Sequence, residues 1–283
     1  MAAANIAQRE QAAPFAFSRT IVVRGGGDLA TGVVQKFFHA GFPVVILETH
    51  EPSAIRRSVA LCEAAYDGVA QVEDMTCRRA AGPEELESCW QAGEIPLIID
   101  PSGESVRAIQ PAAVIDAIIA KRNMGTNRSM AGITIALGPG FCAGEDVDVV
   151  IETMRGHDLG RLILRGSAKP NTGIPGDLGG RSVQRVLYAP ASGTVMHNKR
   201  IGDIAECGET LFTVGGTQVN APFTGLVRGL IREGITAFKG MKAADIDPRT
   251  DVDWRTISDK ARSLGGAALE GYFYLTNQNG GAR

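Results

Sequence analysis

Three glycines and an acidic residue near the start of the chain have the spacing of a nucleotide-binding turn. Gly25, Gly26 and Gly27 follow a β-rich run, and apolar residues at helical spacing come directly after them. A strand–turn–helix with this spacing lets the backbone approach a phosphate closely. Glu48 ends the next apolar run, where a carboxylate can accept hydrogen bonds from ribose hydroxyls. The predicted nucleotide site therefore contains Gly25, Gly26, Gly27, Asp28, Thr31 and Glu48.

Asp28 leaves the kind of ligand open. A carboxylate at the start of a helix can cap the backbone N–H groups, for which a pyrophosphate would compete. In one interpretation Asp28 is only a cap and no nucleotide binds. In the other, a nucleotide or sugar binds with altered geometry, and Asp28 accepts a hydroxyl or a metal-bound water.

A second group of polar residues and glycines follows later apolar runs. Two arginines, an imidazole and an amide among glycines suit an anionic ligand, because arginine offers forked donors and glycine exposes backbone N–H groups. The imidazole can also exchange protons near neutral pH. The alternative is a β-rich linker with solvated arginines. The residues of this group are Asp100, Gly138, Gly140, Arg155, His157, Arg161 and Asn171.

The elements that must hold these residues follow an α/β pattern. The first β-rich run, the helical run after the glycines and the apolar run at 44–47 form a βαβ unit, which favours parallel strands. Helices are then predicted at 83–91 and 111–121, and strands at 96–99 and 133–137. Residues 19–145 are therefore predicted to form a Rossmann-like open sheet domain that binds its ligand at the carboxyl ends of the strands.

An internal repeat marks the second half of the chain. The segment APASGTV at 189–195 recurs as APFTGLV at 221–227, and two glycines recur at the same offset. Two β units too small to bury separate cores are expected to close into one all-β domain at 186–250. The arrangement resembles the barrel-sandwich hybrid of biotinyl and lipoyl domains. Met241-Lys242 does not lie on the hairpin between the repeats, so no covalent biotin or lipoate is predicted.

The remaining segments are predicted from composition and periodicity. Residues 1–18 form a disordered tail, and residues 146–185 form glycine-rich connecting and ligand loops. Residues 251–276 form a C-terminal helix, broken at Gly265-Gly266, that packs back on the α/β domain.

Composition narrows the class of protein. Glycine supplies 35 of 283 residues, about 12% against a usual level of about 7%, so many backbone positions need positive φ or close approach. A net charge of −2 without long basic runs argues against nucleic acid as a partner. Five scattered cysteines and four scattered histidines predict neither disulfides nor a metal site. No apolar stretch is long enough for a membrane span, and a cytoplasmic location is expected. The sequence leaves open whether the chain forms a homo-oligomer.

Several blocks of the sequence, in the same order, resemble one family. They include Arg24–Gly32, Glu48–Arg57, Ile151–Arg161, Gly240–Arg249 and Ile257–Ala261. Together they are similar to the YqeB-type selenium-dependent molybdenum hydroxylase accessory proteins, over about residues 20–273. Gly26, where alanine is usual, departs from the family pattern.

The resemblance implies a role in cofactor maturation. Proteins of this family are thought to help prepare or insert the cofactor of a selenium-dependent molybdenum hydroxylase. The implied ligand is a nucleotide or a molybdopterin dinucleotide, and the implied partner is the hydroxylase. Two other functions are compatible with the motifs: an NAD(P)-dependent oxidoreductase, and a non-enzymatic docking protein. Whether the chain is an enzyme is left open.

Overall fold

The structure, a computed structural model, describes residues 19–173 and 180–280. The predicted tail at 1–18 and residues 174–179 of the ligand loops predicted at 146–185 lie outside the described residues.

A nine-stranded mixed sheet forms the larger part of the molecule. Its strands run in the order β3-β4-β5-β2-β1-β6-β7-β8-β9 and are parallel except for the outer pairs β3–β4 and β8–β9. The predicted α/β fold class is confirmed. The sheet extends beyond residue 145, the predicted end of this domain, because β8 and β9 belong to it. The strands are β1 (Ile21–Arg24), β2 (Val44–Glu48), β3 (Val69–Val72), β4 (Met75–Ala80), β5 (Ile95–Ile99), β6 (Ala113–Asp116), β7 (Thr134–Leu137), β8 (Val149–Ile151) and β9 (Leu162–Ile163).

Helices cover both faces of this sheet. The core of one face includes side chains of the first and last helices, and that of the other face includes Trp90 and Ile109. No helix in the described ranges is both long enough and apolar enough to cross a membrane. The helices are α1 (Asp28–His39), α2 (Ala64–Asp67), α3 (Leu86–Gln91), α4 (Val106–Ile109) and α5 (Asp259–Gly280).

The prediction of a helix at 111–121 is wrong. The segment contains the buried strand β6, which pairs in parallel with both β1 and β7 at the centre of the sheet. An apolar run covered on both faces has no period that separates strand from helix. The loop after β6 therefore lies at the carboxyl edge of the sheet, next to the glycine turn.

The predicted break at Gly265-Gly266 is also wrong, since α5 continues through it from Asp259 to Gly280. A Cβ on Gly265 would lie 2.1 Å from the Gly32 carbonyl oxygen, and one on Gly32 would lie 2.3 Å from the Ala261 carbonyl oxygen. The glycines therefore allow α1 and α5 to pack backbone against backbone.

The repeat builds a smaller module from two four-stranded antiparallel sheets. The sheets have the orders β10-β17-β15-β12 and β14-β13-β11-β16, so exchanging the two half-repeats converts one order into the other. The first half contains β10 (Val186–Tyr188), β11 (Gly193–His197), β12 (Ile204–Ala205) and β13 (Thr210–Val214). The second half contains β14 (Thr217–Asn220), β15 (Gly225–Leu230), β16 (Thr236–Ala237) and β17 (Lys242–Asp247).

Candidate functional site

A cleft of about 370 Å³ lies where three neighbouring strands of the large sheet end. Gly25 follows β1, Glu48 ends β2, and the segment 117–119 follows β6, and all of them line the cleft. Parallel strands bring such ends to one edge, which is where open α/β sheets bind ligands. We call this space the glycine-turn cleft.

The glycine turn is shaped by two close approaches. Gly25 has a φ of +93°, and a Cβ there would lie 3.0 Å from the Cα of Ile118. A Cβ on Gly26 would lie 3.0 Å from the Cys62 nitrogen, whose N–H donates to the Gly26 carbonyl. Gly27 differs, because a Cβ there would meet no atom within 4 Å. Gly27 is thus the glycine of this turn that faces open space.

Glu48 connects the turn to the second strand. Its two carboxylate oxygens accept the backbone N–H groups of Gly26, at 2.7 Å, and Thr49, at 2.8 Å. Burial raises the pKa of the Glu48 carboxyl, and these two hydrogen bonds oppose the shift. Each oxygen still has a lone pair for a donor in the cleft. Glu48 is therefore held in a fixed position at the cleft, with acceptor capacity left over.

Asp28 does not cap the helix, contrary to one of the two sequence interpretations. Gly27 is the N-cap of α1, and no side chain caps its first turn. The Asp28 carboxylate instead forms an ion pair with the largely buried Arg56, 3.6 Å away. The N–H groups that begin α1 are thus free of side-chain caps, and Arg56 offsets the negative charge beside them.

Two predicted binding residues have their polar atoms engaged within the fold. The Thr31 hydroxyl donates to the Gly27 carbonyl, 3.0 Å away, and accepts the Leu61 N–H at 3.0 Å. Asp100, directly after β5, accepts hydrogen bonds from Ser102, Gly103 and Ser105. Burial raises its pKa, but these hydrogen bonds more than offset the effect, so the pKa of Asp100 lies below its ordinary value. Neither residue lines the glycine-turn cleft.

A second, larger cleft of about 550 Å³ adjoins the first and shares Ile119 and Lys242 with it. The described residues that line it include no aspartate or glutamate. We call it the lysine cleft. Its cationic residues are Lys121, Arg155, Lys169, Lys242 and Lys260.

Only two of these five cations have an acidic partner among the described residues. Arg155 forms two hydrogen bonds with Asp259, and Lys169 pairs with Asp158. In residues 19–173 and 180–280, no carboxylate oxygen lies within 4.0 Å of the ammonium groups of the other three. The lysine cleft therefore holds positive charge that the described protein does not neutralise through direct contacts.

Of the three lysines without an acidic partner among the described residues, Lys242 and Lys260 are the two whose pKa values are shifted by their surroundings. Loss of hydration lowers the pKa of the Lys242 ammonium, while Asp245 and Asp28 oppose the shift. Loss of hydration also lowers the pKa of Lys260, with help from the nearby charges of Arg155 and Lys242. Lys242 is on β17 and Lys260 on α5, so the module and the last helix each supply one lysine.

The residues of the second predicted group divide between the lysine cleft and its supporting loops. Arg155 and Asn171 line the cleft, whereas His157 and Arg161 are exposed outside it, Arg161 pairing with Asp158 at 3.1 Å. Gly138 and Gly140 have φ values of +80° and +111° and flank the lining residue Pro139. A Cβ on Gly140 would lie 2.6 Å from the Arg122 Cα, so this glycine allows two loops to meet.

Sequence reasoning missed the wall between the two clefts. Ile119, which lines both, has a φ of +59°, a conformation that β-branched residues rarely adopt. Such backbone costs about 1–3 kcal/mol and clusters at functional sites. Lys242 and Lys260 were missed as well, although both lie in blocks that carry the family resemblance. Because the segment that contains β6 was predicted to be a helix, the sequence did not place Ile119 at the carboxyl edge of the sheet.

The chain matches no protein-family model. It is 44% identical over 259 residues to "Uncharacterized protein YqeB" of Escherichia coli (strain K12), a match that covers 91% of this chain and 48% of that protein. The chain therefore spans about half the length of this curated relative.

The chain is also distantly similar to solved structures of other proteins. One is an aspartoacylase family protein of Mesorhizobium loti, with a TM-score of 0.28 and 11% identity over 82% of this chain and 86% of that one. Another is the Ectoine utilization protein EutE (DoeB) from Ruegeria pomeroyi, with a TM-score of 0.25 and 9% identity over 81% and 85%. At these TM-scores the likeness supports no inference about this chain.

Proposed function

Because the curated relative supports placing this chain in the YqeB family, we propose that it binds a nucleotide, or the nucleotide end of a molybdenum cofactor, at the glycine-turn cleft. It does so as an accessory factor in the maturation of a selenium-dependent molybdenum hydroxylase. The maturation role rests on the family resemblance of the sequence blocks. The binding role rests on the cleft itself.

The observation that carries the binding role is the meeting of three strand ends around an uncapped helix. Gly27 is the N-cap of α1 and offers no side-chain cap, so the first N–H groups of the helix remain available to a negative group or a carbonyl. Glu48 stands beside them with free lone pairs. A ribose or another polyhydroxyl group fits this combination of donors and acceptors.

We also propose the finer architecture that this function uses. The parallel β1-α1-β2 unit and the strands on both sides of β1 support a Rossmann-like domain. The two sheets of the duplicated module support a barrel-sandwich hybrid, here without a covalent prosthetic group. In this proposal the module acts as one wall of the ligand site.

Titration calorimetry of the full chain with cytidine and adenine dinucleotides tests the binding role. Gly27→Val places a side chain in open space at an ordinary φ of −65°, so the variant keeps its fold but occupies the cleft. We expect wild-type protein to bind at least one dinucleotide and Gly27→Val to bind it at least tenfold more weakly. The variant should keep the wild-type circular dichroism spectrum, although valine is a poorer N-cap than glycine and lowers the melting temperature.

Gly132→Val is the matched control. Gly132 is exposed, has open space around its Cα and lies away from both clefts. The Gly132→Val substitution should leave both the affinity for the dinucleotide and the melting temperature unchanged. Absence of binding heat for every dinucleotide at millimolar concentration, or equal affinity in Gly27→Val and wild type, contradicts the binding role.

A further inference from the structure

The two adjoining clefts have opposite electrostatic character. The glycine-turn cleft is lined by the carboxylates of Asp28, Glu48 and Glu51, with Lys242 as its single cation among the described residues. The described lining of the lysine cleft has five cations and no carboxylate. Arg56 offsets the charge of Asp28, but Glu48 and Glu51 also line this cleft, so a phosphate is less favoured there than in the lysine cleft, whose cations attract it. A ligand that spans both clefts therefore has a preferred direction.

We propose that the phosphate or pyrophosphate of the ligand binds in the lysine cleft between Lys242 and Lys260, and that its sugar lies against Glu48. This deepens the proposed function and rests on it for the identity of the sugar-bearing part. The phosphates then lie away from the glycine turn, the reverse of the usual arrangement for a glycine-rich turn followed by a helix.

The unpaired charge supports this position for the anion. Lys242 and Lys260 come from different elements, lie within electrostatic range of one another and have no carboxylate partner within 4.0 Å among the described residues. Lys242 is exposed and Lys260 partly exposed, and two ammonium groups that line one cleft disfavour each other's charge. A bound anion with two or more negative charges removes that cost.

Lys242 gives the small module a direct part in ligand binding. It begins β17 and lines both clefts, so it stands at the junction between the sugar and the anion. The strained residue Ile119 lines the same junction from the large sheet. The ligand thus contacts both units of the fold, and the module supplies part of the phosphate site.

Titration calorimetry of the full chain with inorganic pyrophosphate at low ionic strength tests this proposal. We expect wild-type protein to bind pyrophosphate, and Lys242→Gln and Lys260→Gln each to weaken binding at least tenfold. Lys239→Gln is the matched control, since Lys239 is an exposed lysine of the same module outside both clefts. Gly27→Val should bind pyrophosphate within twofold of wild type, because its added side chain lies in the other cleft.

Acetylation of lysines followed by peptide mass mapping gives a second measurement. Pyrophosphate should protect Lys242 and Lys260 in wild-type protein and leave the labelling of Lys239 unchanged. The proposal is overturned if wild type does not bind pyrophosphate, or if Lys242→Gln and Lys260→Gln both bind it within twofold of wild type. If pyrophosphate binds as expected but no nucleoside or dinucleotide does, the anion site stands and the proposed nucleotide function fails.

Discussion

Thr31 contributes to the glycine turn through the fold. It is completely buried, and its hydroxyl links the start of α1 to the Leu61 N–H across the loop that follows β2. A threonine in this sequence position is equally compatible with a ligand contact. Only the direction of the side chain distinguishes the two roles, and that direction depends on the loop packed over the turn.

Thr31→Val should therefore destabilise the protein. Valine keeps the shape but leaves the N–H of the buried Leu61 without its acceptor, which costs about 1–3 kcal/mol in the free energy of unfolding. Urea denaturation followed by circular dichroism measures the change. Thr49→Val, at an exposed position on the cleft rim, should stay within about 0.5 kcal/mol of wild type. Equal effects of the two substitutions would contradict the structural role.

The pairing of α1 with α5 is the clearest result at the level of elements. Both helices carry glycine at their crossing, and each backbone fills the space where the other's Cβ would stand. Glycine inside a helix usually weakens it by about 1 kcal/mol relative to alanine. Close packing offsets this cost, so the Gly265-Gly266 pair, which suggests a break in sequence, lies inside a continuous helix.

Neighbouring glycines of α5 give a matched pair of substitutions. Gly265→Ala forces a methyl group against the Gly32 carbonyl, and overpacking of this kind costs about 1–3 kcal/mol. Gly266→Ala meets no atom within 4 Å and should stabilise the helix by up to about 1 kcal/mol. Thermal unfolding of both variants should shift the melting temperature in opposite directions. A rise for Gly265→Ala would rule out the close crossing.

At the scale of the whole molecule, the two units are joined by a polar and apolar interface. The Ile55 carbonyl accepts the Leu230 N–H at 2.7 Å, and the Ile55 side chain belongs to the core of the small module. Arg57 donates to the Leu230 carbonyl, and Arg232 pairs with Glu63 and Asp67. This interface holds Lys242 opposite the edge of the large sheet, which the proposed anion site requires.

His197 makes the free energy of unfolding of the protein depend on pH. Burial lowers the pKa of its imidazole, although a hydrogen bond to the Ile231 carbonyl, 2.8 Å away, and the charge of Glu233 oppose the shift. Its folded pKa therefore lies below the unfolded value of about 6.5. The unfolded state binds the proton first as pH falls, so the contribution to stability is complete above about pH 6.5 and is lost as the pH falls through the folded pKa.

Removing the imidazole should remove this dependence. Between pH 7.5 and pH 5, the free energy of unfolding should fall more for wild type than for His197→Gln, measured by urea denaturation at several pH values. His157→Gln is the control, since His157 is exposed. Its pH profile should run parallel to that of wild type. Parallel profiles for His197→Gln and wild type would contradict the assignment.

The elements of the fold that could be predicted from the sequence are those that show a local pattern of residues. The β1-α1-β2 unit follows from a change of period at the glycines, and the module follows from a repeat that the eight strands reproduce. The strand β6 was misassigned because its burial on both faces removes any period. The strands β3 and β4 were not predicted at all.

The residues of the candidate site also fall into those that a local sequence pattern predicted and those that it did not. Residues close in sequence to a strand end, such as Gly27 and Glu48, were found because a parallel sheet brings strand ends to one edge. Lys242 and Lys260 were not, because they reach the cleft from β17 and from α5. Their distance in sequence from Arg155 hides a charge cluster that exists only after the units pack together.

The sequence by itself therefore determined the class of fold, the duplicated module and the glycine turn, since each depends on contacts between neighbouring segments. Only the tertiary structure decided that Asp28 pairs with Arg56, that Thr31 points inward, and that five cations share one cleft. Those outcomes depend on which distant surfaces meet. Charge and burial act through space, so their effects follow from the packed fold and cannot be inferred from spacing along the chain.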